Sequence, residues 1–209
     1  MKLVLKFLNQ SVLGFEFDRE RRRNVSISKP SQSQELQEPE TEEQIEKYKE
    51  QAFRDPLTGL HNRRYFQETG ENELERADRY GHQEALLMAD INKFKQVNDR
   101  YSHPKGDKVL NELANLFQET VRGSDTVARY GGDEFLILLP ETGQEVEIVK
   151  QRLRKAVEKW NTLSDLNFPL SLAIGISRRE PNKDKDLQQL IEEADRRMYL
   201  DKEKQVAGR

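Results

Sequence analysis

Residues 129–135 read Arg-Tyr-Gly-Gly-Asp-Glu-Phe, and this stretch constrains the chain more than any other. Two consecutive glycines, Gly131 and Gly132, interrupt two apolar runs of β type, residues 126–128 before them and 135–139 after. The segment therefore reads as a hairpin, which commits the chain to at least one antiparallel strand pair. Paired glycines leave the tip open to close approach by another molecule. Asp133 and Glu134 set two adjacent carboxylates on that tip. Two acids there admit two readings: an ordinary solvated turn, or part of a site for a divalent cation.

Helical and strand patterns alternate around the hairpin. The spacing predicts a helix over 64–80, a short buried strand over 85–89, and helices over 93–100 and 105–121. A helix over 144–163 follows, striped by Val146, Val149, Leu153, Val157 and Trp160. Leu170, Leu172, Ile174 and Ile176 alternate with small or polar residues, as in a half-buried strand, and a last helix covers 187–204. A hairpin within this order predicts an α+β fold, with helices packed around an antiparallel-containing sheet. Residues 1–28 form a small β-rich segment that cannot bury much core alone. Three roles stay open for it: packing on the main domain, pairing with a second copy, or serving as the stub of a sensory module. Residues 29–50 read as a charged linker and lead-in helix, with Pro30, Pro39 and seven glutamates between Glu35 and Glu50. Ile45, Tyr48 and Ala52 fall at helical spacing, on a helix that either is simply solvated or transmits a signal and dimerises.

Composition removes several classes of function. The chain has 209 residues, enough for one domain and an appendage, and lacks cysteine, so no disulfide or thiolate metal site is available. Its three histidines, His61, His82 and His103, are too scattered for a zinc site. A net charge of −3 argues against a general nucleic-acid partner. No apolar run approaches the ~20 residues of a membrane span, and residues 1–8 alternate with lysines, unlike a secretory signal. A cytoplasmic protein is expected.

Three blocks share an order and spacing. Residues 55–64 read Asp-Pro-Leu-Thr-Gly-Leu-His-Asn-Arg-Arg, and residues 90–99 read Asp-Ile-Asn-Lys-Phe-Lys-Gln-Val-Asn-Asp, with His103, Gly106 and Asp107 close behind. Together with the hairpin block they resemble the GGDEF family of diguanylate cyclases, with residues 51–205 as the catalytic domain. The resemblance implies a nucleotide-cyclase, polymerase-palm-like sandwich whose central, mostly antiparallel sheet is flanked by helices. It implies that Asp90, Asp133 and Glu134 are catalytic, and that these three with the Ile91 carbonyl hold a metal, Mg²⁺ or alternatively Mn²⁺. Glu134 matches the acid linked to deprotonating the substrate 3′-hydroxyl. Main-chain amides at Lys93 and Phe94, with Lys95 and Lys202, match the triphosphate-binding positions. Asn98 and Asp107 match the guanine-reading pair, and a carboxylate facing the guanine N1–H and amine favours GTP over ATP. Arg122 and Asp125 match an inhibitory product site for cyclic di-GMP. The implied enzyme works as a homodimer that condenses two GTP.

Local sequence keeps plainer readings open beside these. Asp90, Asn98 and Asp107 also suit helix caps, Lys95 and Lys202 suit solvated lysines, and Arg122 with Asp125 suits a surface ion pair. Three positions depart from the family pattern: Asn92 replaces an acid, Ser102 a glycine, and Val206 an arginine. They sustain two further functional readings, a non-catalytic sensor that binds GTP or cyclic di-GMP, and a dimerising scaffold acting through residues 1–50.

Overall fold

The computed structural model describes Tyr48, residues 51–183 and residues 185–207, all within the second of the two compact units into which the chain divides, Glu40–Arg209. The β-rich segment expected at 1–28, and the linker and lead-in helix apart from Tyr48, lie outside the described residues. Among the described residues, β1 (His61–Asn62), β2 (Glu84–Asn92), β3 (Thr126–Gly131), β4 (Glu134–Leu139) and β5 (Ser171–Arg179) form one sheet in the order β1-β3-β4-β2-β5. The β1–β3 pair is parallel and every other pair antiparallel. Among the described residues, α1 (Arg63–Tyr80), α2 (Phe94–Tyr101), α3 (His103–Thr120), α4 (Val146–Leu163) and α5 (Leu187–Ala207) accompany the sheet. None of the described helices is long and apolar enough to cross a membrane.

Local chemistry sets the helix limits. The Asn62 side chain accepts the Tyr65 amide at 3.1 Å to open α1, and Gly81 closes it in the left-handed region at φ 73°. The sheet separates two cores. On one face Leu87, Ala89, Phe135, Ile137, Leu172 and Ile174 meet α3 and α4, where the Phe117 and Phe135 rings pack edge to face at 5.0 Å. On the other face Leu86, Met88, Leu136 and Leu138 meet Phe66 and Leu74 of α1 and Leu190, Ile191 and Met198 of α5. Helices on both faces account for the burial of β2, expected as a buried strand, and for that of β5, which departs from the sequence reading. β2 is buried at all nine positions and runs beyond the expected 85–89 to Asn92. β5, expected to be half-buried, is buried at seven of its nine positions.

β5 is an edge strand, and its outward backbone groups are taken up by helix side chains. Gln205 donates to the Leu172 carbonyl at 3.0 Å, Lys150 to that of Ile174 at 2.9 Å and Arg197 to that of Ile176 at 2.6 Å. Asp201 accepts the Ile174 amide at 2.9 Å. These bonds occupy the ladder that an incoming strand would use. They also fix α5 over the sheet. A Cβ at Gly175 would lie 1.8 Å from the Ala194 carbonyl oxygen, so β5 and α5 touch backbone to backbone there.

Candidate active site

Side-chain alternation determines where the acids go. Leu86, Met88 and Asp90 of β2 share the face turned to α1 and α5, as do Leu138, Leu136 and Glu134 of β4. Asp90 and Glu134 are direct cross-strand partners at the end of the sheet, so their side chains rise from neighbouring strands on the same face. Asp133 sits in the turn beside them, and its carbonyl accepts the Ile91 amide at 3.3 Å. A strand residue turns its N–H and C=O to the same edge, so the Ile91 carbonyl also faces the hairpin tip. Asp90 lies within β2, two residues before the strand ends, and is 6% exposed. That location removes the helix-cap reading for it.

Negative charge accumulates at this end of the sheet. Burial, and then the Asp90 carboxylate, push the Asp133 carboxyl above its ordinary value. Burial also raises Glu134, with Asp90, Asp133 and Asp195 adding to the effect and the Lys202 ammonium opposing it. Lys202 reaches down from α5 to place its Nζ 2.7 Å from Asp90 Oδ1. It is therefore a paired lysine at the acids rather than a solvated one. Among the described residues, no three Asp, Glu or His side chains stand close enough to hold a metal ion by themselves. Asp90, Asp133 and Glu134 are carboxylates that raise one another's charge cost, with the Ile91 carbonyl beside them. That set fits a cation that takes few protein oxygens and completes its shell with water and phosphate, as Mg²⁺ does.

The hairpin tip is held by residues to which the sequence reading gave no role. The Arg129 guanidinium donates to the Gly132 carbonyl through Nε at 3.0 Å and Nη2 at 2.8 Å. Its Nη1 meets Asp55 Oδ1 at 3.0 Å. Asp55 Oδ1 also accepts the Thr58 amide at 2.8 Å and hydroxyl at 2.7 Å. Burial works against ionised Asp55, but the Thr58 bonds and the guanidinium outweigh it and hold its pKa below the ordinary value. The block at 55–62 is thus a brace for the tip. Asp195, which also raises Glu134, has no motif of its own, but it stands seven residues before Lys202 on the same stripe of a helix.

The remaining candidates fall into three groups. Lys93 stands just before α2 in the left-handed region at φ 66°, and no side chain caps that helix. The amides of Lys93 and Phe94 therefore open α2 uncapped, with Lys95 exposed one residue on. Asn98 and Asp107 lie inside α2 and α3 rather than at caps. Asn98 meets α3 at Gly106, the residue before Asp107, where a Cβ would fall 1.9 Å from Asn98 Oδ1. Between α2 and α3, Ser102 takes φ 100° and ψ 161°, a conformation a glycine would adopt without strain. Arg122 and Asp125 are joined through the backbone: Asp125 Oδ2 accepts the Arg122 amide at 2.8 Å. The Arg122 guanidinium has no ion-pair partner among the described residues, so the surface-pair reading does not describe it.

Comparisons with known proteins agree with this fold. Residues 52–207 match the family model described as diguanylate cyclase, GGDEF domain. The chain is 36% identical over 149 residues to diguanylate cyclase DosC of Escherichia coli K12, an alignment covering 71% of this chain and 32% of that protein. The chain thus spans about a third of that relative's length. Diguanylate cyclase SiaD of Pseudomonas aeruginosa, solved with its activator SiaC, superposes with a TM-score of 0.68 at 35% identity, over 77% of this chain and 62% of that one. The coiled coil and GGDEF domain of DgcB from Caulobacter crescentus, solved with c-di-GMP, gives 0.69 at 25% identity, over 77% and 86%.

Proposed function

The chain belongs to the GGDEF family, and from that membership we propose that it condenses two GTP into cyclic di-GMP with release of two pyrophosphates. In each half-reaction a 3′-oxygen forms a bond to the α-phosphorus of the other nucleotide, and the bond to the departing pyrophosphate breaks. The hydroxyl proton passes to Glu134. Asp90, Asp133, Glu134 and the Ile91 carbonyl would hold a divalent metal, Mg²⁺ in the first instance. When bound, that ion supplies charge neutralisation on the phosphates and acidifies the attacking hydroxyl.

The chain's own residues bind and orient. Asn98 and Asp107 read the guanine, and the amides at Lys93 and Phe94 with Lys95 hold the triphosphate at the start of α2. Lys202, which pairs with Asp90 here, would turn to the terminal phosphates once Asp90 is engaged by a metal. One domain holds one GTP, so the two nucleophiles are opposed in a two-fold homodimer of half-sites. Arg122 and Asp125 bind the product and slow the enzyme.

The observation that carries this reading is the Asp90–Glu134 register with Asp133 at the tip, on the face that also receives Lys202. The Lys202–Asp90 pair also favours a second reading, a domain that binds GTP or cyclic di-GMP without turnover, because the ammonium sits on the acid a metal needs. One experiment separates the two. Purified protein incubated with GTP and Mg²⁺ should yield cyclic di-GMP and pyrophosphate on a chromatogram, and Glu134→Gln should remove the product while leaving the fold intact. Nucleotide uptake with no product from the wild-type chain would select the sensor.

A further inference from the structure

Asn92 stands where the family pattern has an acid, and its side chain joins a network of its own. It is 8% exposed, and its Nδ2 donates to Gln205 Oε1 at 2.9 Å and to Ser171 Oγ at 3.1 Å. The direction of the Gln205 bond is fixed from the far end, and the Ser171 hydroxyl donates to the same Oε1 at 3.3 Å. Gln205 Nε2 faces two groups that only accept, the Leu172 carbonyl at 3.0 Å and Asp201 Oδ2 at 3.0 Å. Asp201 is itself held by Arg154 at 2.6 Å and by the Ile174 amide at 2.9 Å, which outweigh its burial and keep it ionised. With its nitrogen committed, Gln205 can offer Asn92 only an oxygen, and residue 92 must be a donor. A carboxylate there would set an acceptor against an acceptor.

We propose that the Asn92–Gln205 pair is a positioning lock that pins the last turns of α5 to the end of β2 and thereby sets the reach of Lys202. Lys202 lies one turn before Gln205 on the same helix, and Asp90 lies two residues before Asn92 on the same strand face. The pair Asn92–Gln205 thus runs alongside the pair Asp90–Lys202. Asn92 touches neither metal nor nucleotide and acts through the helix. The inference rests on the reading that Lys202 serves the bound triphosphate.

The test is calorimetric titration of the full chain with 3′-deoxy-GTP and Mg²⁺, a nucleotide that binds but lacks the attacking hydroxyl. Asn92→Asp should weaken binding about five-fold to ten-fold, the loss expected when one buried hydrogen bond becomes a repulsion. Gln205→Leu should do the same from the other side. Combined with Lys202→Ala, Asn92→Asp should add nothing to the loss that Lys202→Ala causes alone, because both act at one contact. Additive losses in the double variant, or tighter Mg²⁺-dependent binding by Asn92→Asp, would overturn the lock, the second by making residue 92 a metal ligand. Thermal midpoints of all variants report folding, and Gln205→Leu serves if Asn92→Asp fails to fold. Absence of binding by the wild-type chain would instead overturn the cyclase reading, and the lock with it.

Discussion

Glu84 opens β2 at the end of the sheet far from the acids, and it is 2% exposed. Its Oε2 is buried and has no hydrogen-bond partner. Its cross-strand partner Arg179 is committed elsewhere, to Asp78 at 2.8 and 2.6 Å and to the Lys185 carbonyl at 2.8 Å. Burial therefore pushes the Glu84 carboxyl from 4.5 up to about 8, with the Glu73 and Glu141 charges adding to it and the Glu141 amide and Arg76 opposing it. A folded pKa above the unfolded one means that folding favours the protonated form. The stabilising contribution is complete below about pH 4.5 and is lost as pH rises through 8. A shift of this size corresponds to roughly 5 kcal/mol without relaxation, and on the order of 3 kcal/mol once the site opens slightly to water. Glu84→Gln removes the titration but leaves an amide equally short of partners. The informative quantity is therefore how the difference between variant and wild type changes with pH, not the difference at any one pH. Thermal unfolding followed by circular dichroism should show the variant gaining on the wild type by about 5–10 °C between pH 4.5 and pH 9. Parallel curves, or a variant that loses ground as pH rises, would refute the buried, proton-holding carboxyl.

Other substitutions probe the scaffold nearer the acids. Ser102→Gly should stabilise the protein by about 1 kcal/mol, since relief of ~1–3 kcal/mol of backbone strain exceeds the entropy cost of glycine; a lower midpoint would contradict the positive φ of Ser102. Arg129→Lys keeps the charge but cannot bridge the Gly132 carbonyl and Asp55, so it should cost about 2 kcal/mol and more than ten-fold in cyclic di-GMP formation. Synthesis near the wild-type rate would show that the tip needs no such brace. Gly175→Ala drives a methyl group into the backbone of α5 and should destabilise by ~3 kcal/mol or more in denaturant titration, with weaker nucleotide binding as Lys202 is displaced. A neutral result would mean the helix and strand are not in backbone contact.

The parts of the fold that were legible in the sequence are those governed by period. α1 was expected over 64–80 and spans Arg63–Tyr80, and α4 was expected over 144–163 and spans Val146–Leu163, because apolar stripes report which face meets a core. β5 reads as half-buried in the sequence for the same reason. Ala173, Gly175 and Ser177 are small rather than exposed, and the space they leave is filled by α5. The hairpin acids were legible because Gly131-Gly132 and the flanking runs fix both the turn and the face. Their meeting with Asp90 required strand neighbours, and β4 pairs with β2 across a helix-containing excursion that no local pattern reveals. The brace, the Lys202–Asp90 pair and the Asn92 network were illegible on a further ground. Whether an amide or a carboxylate belongs at position 92 depends on which end of Gln205 faces it, and that depends in turn on a backbone carbonyl and an arginine-held aspartate on other elements. A residue that reads along the sequence as a departure from an acid is, in the folded chain, the donor its neighbours require.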